Sequence, residues 1–224
     1  MNILNISVLF SILLGFGFPT NNGFQISEFS DLMIVASAKT NFDFESCTVN
    51  LKPENWSVAL TGNGKMCNWK IVDDAGNKVL AQLSDEKNDY RFNLIVNNEL
   101  SFKDVNVELK FKGVAGNVDQ GGGPVWRYIN ENNYYVARAN PLENNYRVYK
   151  VVNGRRIQLE SARVTINAGE WYNLKVTMKG DKIKCYFNGK LKLETTDSTF
   201  KKAGKVGLWT KADAVTYFDN FKVN

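Results

Sequence analysis

From Phe42 onward apolar residues recur at every second position, and no stretch offers the 3.6-residue period of an amphipathic helix of ordinary length. A chain with that period hides its apolar side chains on one face of strands and wets the other. Across residues 102–112, Val105, Val107, Leu109 and Phe111 alternate with Asp104, Asn106, Glu108 and Lys110, as a half-buried strand requires. Residues 172–193 read as two successive hairpins, because Gly180-Asp181 and Asn188-Gly189 supply the positive φ angles of two-residue primed turns. Leu174, Val176 and Met178 then share one face with Ile183, Cys185 and Phe187. Asn153-Gly154 closes a third hairpin between residues 146–152 and 155–161. So many short antiparallel strands without helices need two packed sheets to cover their apolar faces. The expected fold is all-β, an antiparallel two-sheet β-sandwich.

Composition bounds the chemistry. With 224 residues, 44% of them hydrophobic and 23% charged, the chain can bury one sizeable core. It contains no histidine, which removes the commonest general base, the imidazole ligands of most zinc sites and any Ser-His-Asp or Cys-His relay. Its 28 asparagines outnumber its 17 glycines, a load of turn-formers and carboxamides suited to short strands and tight turns. The net charge of +5 is uneven: residues 1–143 hold 12 basic and 16 acidic side chains, residues 144–224 hold 16 and 7. A basic half invites a nucleic-acid partner. Lys182, Lys184, Lys190 and Lys192, however, alternate with apolar residues instead of clustering, which suits a solvated sheet face or a protected edge better than a phosphate track. No nucleic-acid partner is expected.

Residues 3–18 are apolar apart from Asn5, Ser7, Gly15 and Gly17, a length that fits the core of a secretory signal better than a bilayer span of about 20 residues. Ala36-Ser37-Ala38 has the small-x-small form of a cleavage site. Residues 1–38 are therefore read as a signal peptide or N-terminal export segment and residues 39–224 as the sandwich domain. That division implies a secreted, periplasmic or cell-surface protein with no stable membrane span after processing. Cys47 and Cys67 flank a loop-like stretch and could pair, whereas Cys185 sits on an alternating strand as a small buried hydrophobe.

Residues 121–149 carry the most chemistry. Pairing residues 124–129 with 134–139 across Asn130-Glu131-Asn132-Asn133 sets Ile129 opposite Tyr134, Arg127 opposite Val136 and Val125 opposite Arg138. Val125, Arg127, Ile129, Tyr134, Val136 and Arg138 then share one face, and Trp126, Tyr128, Tyr135 and Ala137 the other. In that register Arg127 and Arg138 are diagonal neighbours, which repel unless a carboxylate or a ligand lies between them. Glu143 is the nearest counter-charge, and Arg147 and Tyr149 alternate on the next strand toward the same face. One reading is a structural Arg-Glu-Arg network; the other is a polar, aromatic-bordered groove. Such a groove matches a sugar, whose hydroxyl pairs meet planar guanidinium and carboxamide donors while its C–H patch lies on an aromatic ring. Asn140, Asn144 and Asn145 place carboxamides beside it, and Lys211 and Trp209 join it if the turn at Lys211-Ala212-Asp213 reaches the rim. The candidate contacts are Arg127, Arg138, Asn140, Glu143, Asn145, Arg147, Tyr149 and Lys211. Gly121-Gly122-Gly123 precedes no helix and no lysine-serine pair, so it is read as a loop entering a strand.

The run Gly122-Gly123-Pro124-Val125-Trp126-Arg127-Tyr128, followed by Asn133 through Asn145, resembles secreted bacterial proteins of the concanavalin A-like lectin/glucanase superfamily. The likeness is closest to laminin-G-like proteins near the domain named for 3-keto-disaccharide hydrolase. Trp171 through Asn188-Gly189, Gly204 through Asp213 and Phe218-Asp219-Asn220-Phe221 extend it over residues 42–224. The resemblance implies a jelly roll whose concave face binds glycans in many relatives, and it implies no single activity. The Glu-x-Asp-x-x-Glu strand of family 16 glucanases, whose alternate carboxylates supply nucleophile and acid, is absent. Asp219 falls where some relatives hold calcium, which makes it the candidate metal ligand, with a plain hydrogen-bonding role as the other reading. Three functions follow. The first is an exported, non-catalytic module that binds an oligosaccharide or polysaccharide. The second is a glycosidic-bond hydrolase or lyase, acting on a 3-keto-disaccharide or a polysaccharide, with Glu143 as acid/base. The third is a cell-surface adhesion module. Missing histidine and missing paired carboxylates favour binding over catalysis.

Overall fold

A computed structural model describes residues 40–224, and the export segment expected at 1–38 lies outside them. All regular structure among the described residues is β: fifteen strands in two antiparallel sheets. One sheet runs in space β13 (Lys190–Thr196), β12 (Lys182–Phe187), β11 (Tyr172–Lys179), β6 (Val105–Ala115), β15 (Val215–Val223), β4 (Asn77–Gln82) and β3 (Trp69–Asp74), with β1 (Thr40–Phe42) also paired to β15. The other runs β10 (Arg155–Arg163), β9 (Asn145–Val152), β8 (Asn133–Asn140), β7 (Gly122–Asn130), β14 (Gly204–Lys211), β5 (Arg91–Phe102) and β2 (Trp56–Gly62). The expected sandwich is present.

The turn chemistry dictates local pairing as the sequence predicts. Lys179 faces Lys182 across Gly180-Asp181, Phe187 faces Lys190 across Asn188-Gly189, and Val152 faces Arg155 across Asn153-Gly154. Asn153 and Gly154 have φ of 49° and 80°, and Asn188 and Gly189 have 47° and 76°, the two positive values of a type I′ turn. Leu174, Val176 and Met178 stand opposite Phe187, Cys185 and Ile183, all buried. The expected strand at residues 102–112 begins later: Phe102 ends β5, and the chain turns at Lys103-Asp104 before Val105.

The inner faces meet in a core rich in aromatic residues. Trp126 stacks on Tyr135 with centroids 5.6 Å apart, and its indole N–H points at Met178 Sδ on the opposing sheet, 3.1 Å away. Burying one such side chain contributes on the order of 2–3 kcal/mol, so this layer carries much of the stability. The seven-stranded sheet also has a second apolar cluster on its other face, made of Phe92, Leu94, Val125, Tyr134, Val136, Tyr149, Val151 and Trp209. A sheet face turned away from the core is ordinarily polar. This one is apolar at its floor, and polar side chains cover it.

Two expectations are corrected. Cys47 and Cys67 do not pair; both are free thiols, and Cys67 Sγ donates to the Ala59 carbonyl at 3.3 Å. The β7–β8 register also differs from the expected one. Val125 faces Val136 and Trp126 faces Tyr135, and the expected frame holds only at the turn, where Asn130 faces Asn133. Between Trp126 and Asn130 the strand bulges, with Arg127 at φ 45°. A bulge reverses the in-out alternation downstream. Val125, Tyr134, Val136 and Arg138 therefore keep the expected outer face, but Tyr128 crosses to it and stacks on Tyr134 at 6.0 Å, while Arg127 leaves it. Gly204 on β14 accommodates the bulge, since a Cβ there would sit 2.5 Å from the Arg127 carbonyl carbon.

Candidate functional site

Arg127 is a clamp between loops. Its Nε donates to Lys103 O at 2.7 Å, Nη1 to Phe200 O at 2.6 Å and Nη2 to Gly180 O at 2.6 Å, with Asp104 at 3.6 Å. All three nitrogens are spent on carbonyls, and the side chain is 2% exposed. The expected pair of arginines side by side on one face does not exist. The physical reason is the bulge, which turns Arg127 toward the β5–β6 and β11–β12 turns.

Arg138 holds its expected place on the outer face and is paired there. It donates to Asp119 at 3.0 Å, to Glu143 Oε2 at 2.9 Å and to Asn145 Oδ1 at 3.0 Å, and its guanidinium lies 5.9 Å from the Tyr149 ring centroid. Glu143 collects the cluster: Arg147 Nη1 reaches Oε2 at 2.8 Å, Asn145 Nδ2 reaches it at 2.8 Å, and Asn140 Nδ2 reaches Oε1 at 3.2 Å. The structural network therefore joins Arg138, Glu143 and Arg147 in place of the Arg127, Glu143 and Arg138 set that the sequence suggests. Partial burial pushes the Glu143 carboxyl up, but hydrogen bonds from Arg138 and Asn145 and the charges of Arg138 and Arg147 outweigh it and hold it at about 2. Burial lifts the Asp119 carboxyl against the pull of Arg138 and the Gly121 amide. Asn140, Asn145 and Tyr149 are buried within this network, leaving Glu143 and Arg147 as its reachable members.

Next to the network lies a cleft of about 460 Å³ that sequence reasoning missed. Asp89, Tyr90, Asn153, Arg155, Arg156 and Lys211 form its walls, with Phe92 at its floor. Tyr90 Oη donates to Gly154 O at 3.3 Å, which closes one end, and a Cβ on Gly154 would meet that hydroxyl at 2.8 Å. Lys211 ends β14 just before the Ala212-Asp213 turn, so the turn does reach the rim. Its ammonium pairs with Asp89 and lies 3.8 Å from Asp119. Trp209, one pleat inward, is fully buried and donates its indole N–H to Tyr134 Oη at 3.2 Å. It supports the floor.

Arg156 is the cleft's distinctive group. Its guanidinium lies 4.6 Å from the Tyr149 centroid, 5.1 Å from Phe92 and 5.7 Å from Trp209. Its Nη1 is buried without a hydrogen-bond partner. Burial lowers its pKa, and the charge of Arg138 lowers it further. The signal available in sequence was the Arg155-Arg156 pair directly after Asn153-Gly154: with the register fixed by that turn, Arg156 must lie opposite Val151, on the Tyr149 face.

Asp219 does not fit a hard cation. Its oxygens accept from the Asn220 amide at 2.6 Å, from Asn220 Nδ2 at 2.9 Å and from Asn77 Nδ2 at 3.4 Å, and Asn220 has φ 49° at a β15 bulge. Hydrogen-bond donors occupy the places where oxygen ligands would be needed. Among the described residues no three acidic, histidine or cysteine side chains gather as a metal site. Asp219 caps the bulge. The same residues contain no helix long and apolar enough to cross a membrane.

Two packed antiparallel sheets with a polar-walled cleft on the outer face of one define a lectin-like β-sandwich. The chain belongs to the galactocerebrosidase C-terminal lectin domain family, whose profile matches residues 68–224. The carbohydrate-binding module CBM66 from Bacillus subtilis superposes with a TM-score of 0.61 at 24% identity, covering 77% of this chain and 95% of that one. The cellulose-induced protein Cip1 gives 0.61 at 13% identity over 83% and 96%. The carbohydrate recognition domain of Emp47p gives 0.50 at 13% over 76% and 88%. At these identities the three likenesses speak to the fold. No curated protein matches the sequence.

Proposed function

We propose that the protein is an exported carbohydrate-binding module that recognises an oligosaccharide or polysaccharide on the outer face of its seven-stranded sheet, in the cleft walled by Arg155, Arg156, Lys211 and Asn153. The observation that carries this reading is the cleft itself, where guanidinium, ammonium and carboxamide groups stand beside the exposed Tyr90 ring. Planar donors beside an accessible aromatic ring are the combination a sugar needs. The lectin-domain family and the carbohydrate-binding structural neighbours agree with sugar binding. The contact set is revised from the sequence expectation. Arg155, Arg156 and Asn153 enter; Lys211 stays; Arg127 leaves; Glu143 and Arg147 belong to the network beside the cleft, and Arg138, Asn140, Asn145 and Tyr149 are buried within it.

The hydrolase reading, including action on a 3-keto-disaccharide, needs Glu143 to give up a proton. With its carboxyl held at about 2 it is ionised at neutral pH and has no proton to donate. A glycan panel screened by thermal shift, with product analysis on every glycan that binds, tests the proposal. Binding without turnover, weakened in Arg156→Met and unchanged in Lys184→Ala on the other sheet, is expected. Turnover abolished by Glu143→Gln, or no glycan response at all, overturns it.

A further inference from the structure

The charge in the cleft and the network beside it does not close. Arg138, Arg147, Arg155, Arg156 and Lys211 supply five positive charges there, against three negative ones on Asp89, Asp119 and Glu143. Glu143 and Asp119 are committed to Arg138 and Arg147, and Asp89 to Lys211. Arg155 and Arg156 are left with no carboxylate within ion-pair distance among the described residues, and both line the cleft. Arginine stays charged at any physiological pH. A partly buried guanidinium is therefore held over Tyr149, Phe92 and Trp209, with Nη1 sealed from solvent, no hydrogen bond from Nε or Nη2 to the described residues, and Arg138 near the same Tyr149 ring. Contact with three rings offsets part of its desolvation cost. A bound anion would offset the rest, and would also relieve the repulsion from Arg138.

We infer that the cleft selects an acidic sugar unit, whose carboxylate sits on the Arg156 guanidinium with Arg155 at the rim, while the exposed Tyr90 ring offers a contact to the sugar's apolar face. A carboxylate matches the planar guanidinium fork, and such charge-assisted hydrogen bonds are about twice as strong as neutral ones. A neutral sugar would leave both arginines without a counter-charge. The inference rests on the saccharide reading above and narrows its ligand class.

Isothermal titration of the protein with trisaccharides of galacturonate, glucuronate and mannuronate, each beside its carboxyl-reduced neutral counterpart, tests it. At least one acidic form is expected to bind tenfold or more tightly than its reduced partner in 50 mM salt, and to lose most of that advantage in 500 mM salt. Arg156→Met, which keeps the apolar stem over the rings, should erase the preference. Arg155→Gln, at an exposed position, should reduce it about three- to tenfold with an unchanged circular dichroism spectrum. If Arg156→Met fails to fold, Arg155→Gln and the salt dependence decide. Equal or tighter binding of the reduced forms, or binding only of neutral glycans from the wider panel, overturns the charge inference and leaves the saccharide reading standing. A preference that survives both substitutions also overturns it. No binding by any sugar, acidic or neutral, overturns both together.

Discussion

Replacing Arg127 with methionine keeps the aliphatic stem and removes three donors, from the Lys103, Phe200 and Gly180 carbonyls. Hydrogen bonds from a charged donor contribute roughly 1.5–3 kcal/mol each. The carbonyls of Lys103 and Gly180 lie at exposed turns and can rehydrate, whereas the bond to Phe200 O is buried and its acceptor is left unpaired. The expected loss is therefore about 3–5 kcal/mol, below the simple sum of three bonds. For a domain of this size 1 kcal/mol moves Tm by roughly 2–4 °C, which gives a fall of about 6–20 °C. Calorimetric or fluorescence-monitored melting measures it, and glycan titration at a temperature where the variant remains folded gives affinity separately. The reasoning predicts a large fall in Tm with affinity within about twofold of wild type. A Tm within about 2 °C of wild type, combined with lost affinity, would show that Arg127 meets ligand and would refute the clamp.

Arg138→Met should cost about 3–5 kcal/mol by urea unfolding, because it strands the 1%-exposed Asp119 without its partner. Adding Asp119→Asn should recover most of that loss, and a strictly additive double variant would contradict the pairing. Glu143 and Asp197 are both held at about 2 in the folded state, from ordinary values of 4.5 and 3.8. The stability they contribute is therefore present above about pH 4.5 and is lost as pH falls toward 2. Urea midpoints should decline across that window by an amount worth about 1–2 kcal/mol after solvent screening, less steeply in Asp197→Asn. A flat profile there would contradict the shifts. Thiol titration should find Cys47 reactive in the native protein, Cys67 and Cys185 protected by burial, and all three reactive in denaturant without reductant. A single reactive thiol after unfolding would mean that Cys47 and Cys67 are paired after all.

The hairpins were legible because their turns are local. Asn153-Gly154 and Asn188-Gly189 need positive φ at two successive residues and carry the residue types that adopt it, so the pairings of β9 with β10 and β12 with β13 follow within a few residues of sequence. The period-two pattern likewise placed Trp126, Tyr135 and Ala137 inside and Val136, Arg138 and Tyr149 outside. The Arg127 bulge was not legible. Positive φ at an arginine has no local signal, and the groups that stabilise it, Gly204 beside the backbone and the carbonyls of Lys103, Gly180 and Phe200 around the guanidinium, are distant in sequence. The cleft escaped for the same reason. Asp89 and Tyr90 reach Lys211, Gly154 and Arg156 only after β5, β14 and β10 have taken their places in one sheet, an order set by the β-sandwich topology and not by any hairpin.

Amide-detected NMR titration with a glycan that binds would locate the site residue by residue. The account predicts shifts centred on Asp89, Tyr90, Asn153, Arg156 and Lys211, extending to Tyr149 and Trp209 beneath them. Shifts confined to the outward face of the other sheet, at Lys110, Lys175 and Lys184, would contradict it.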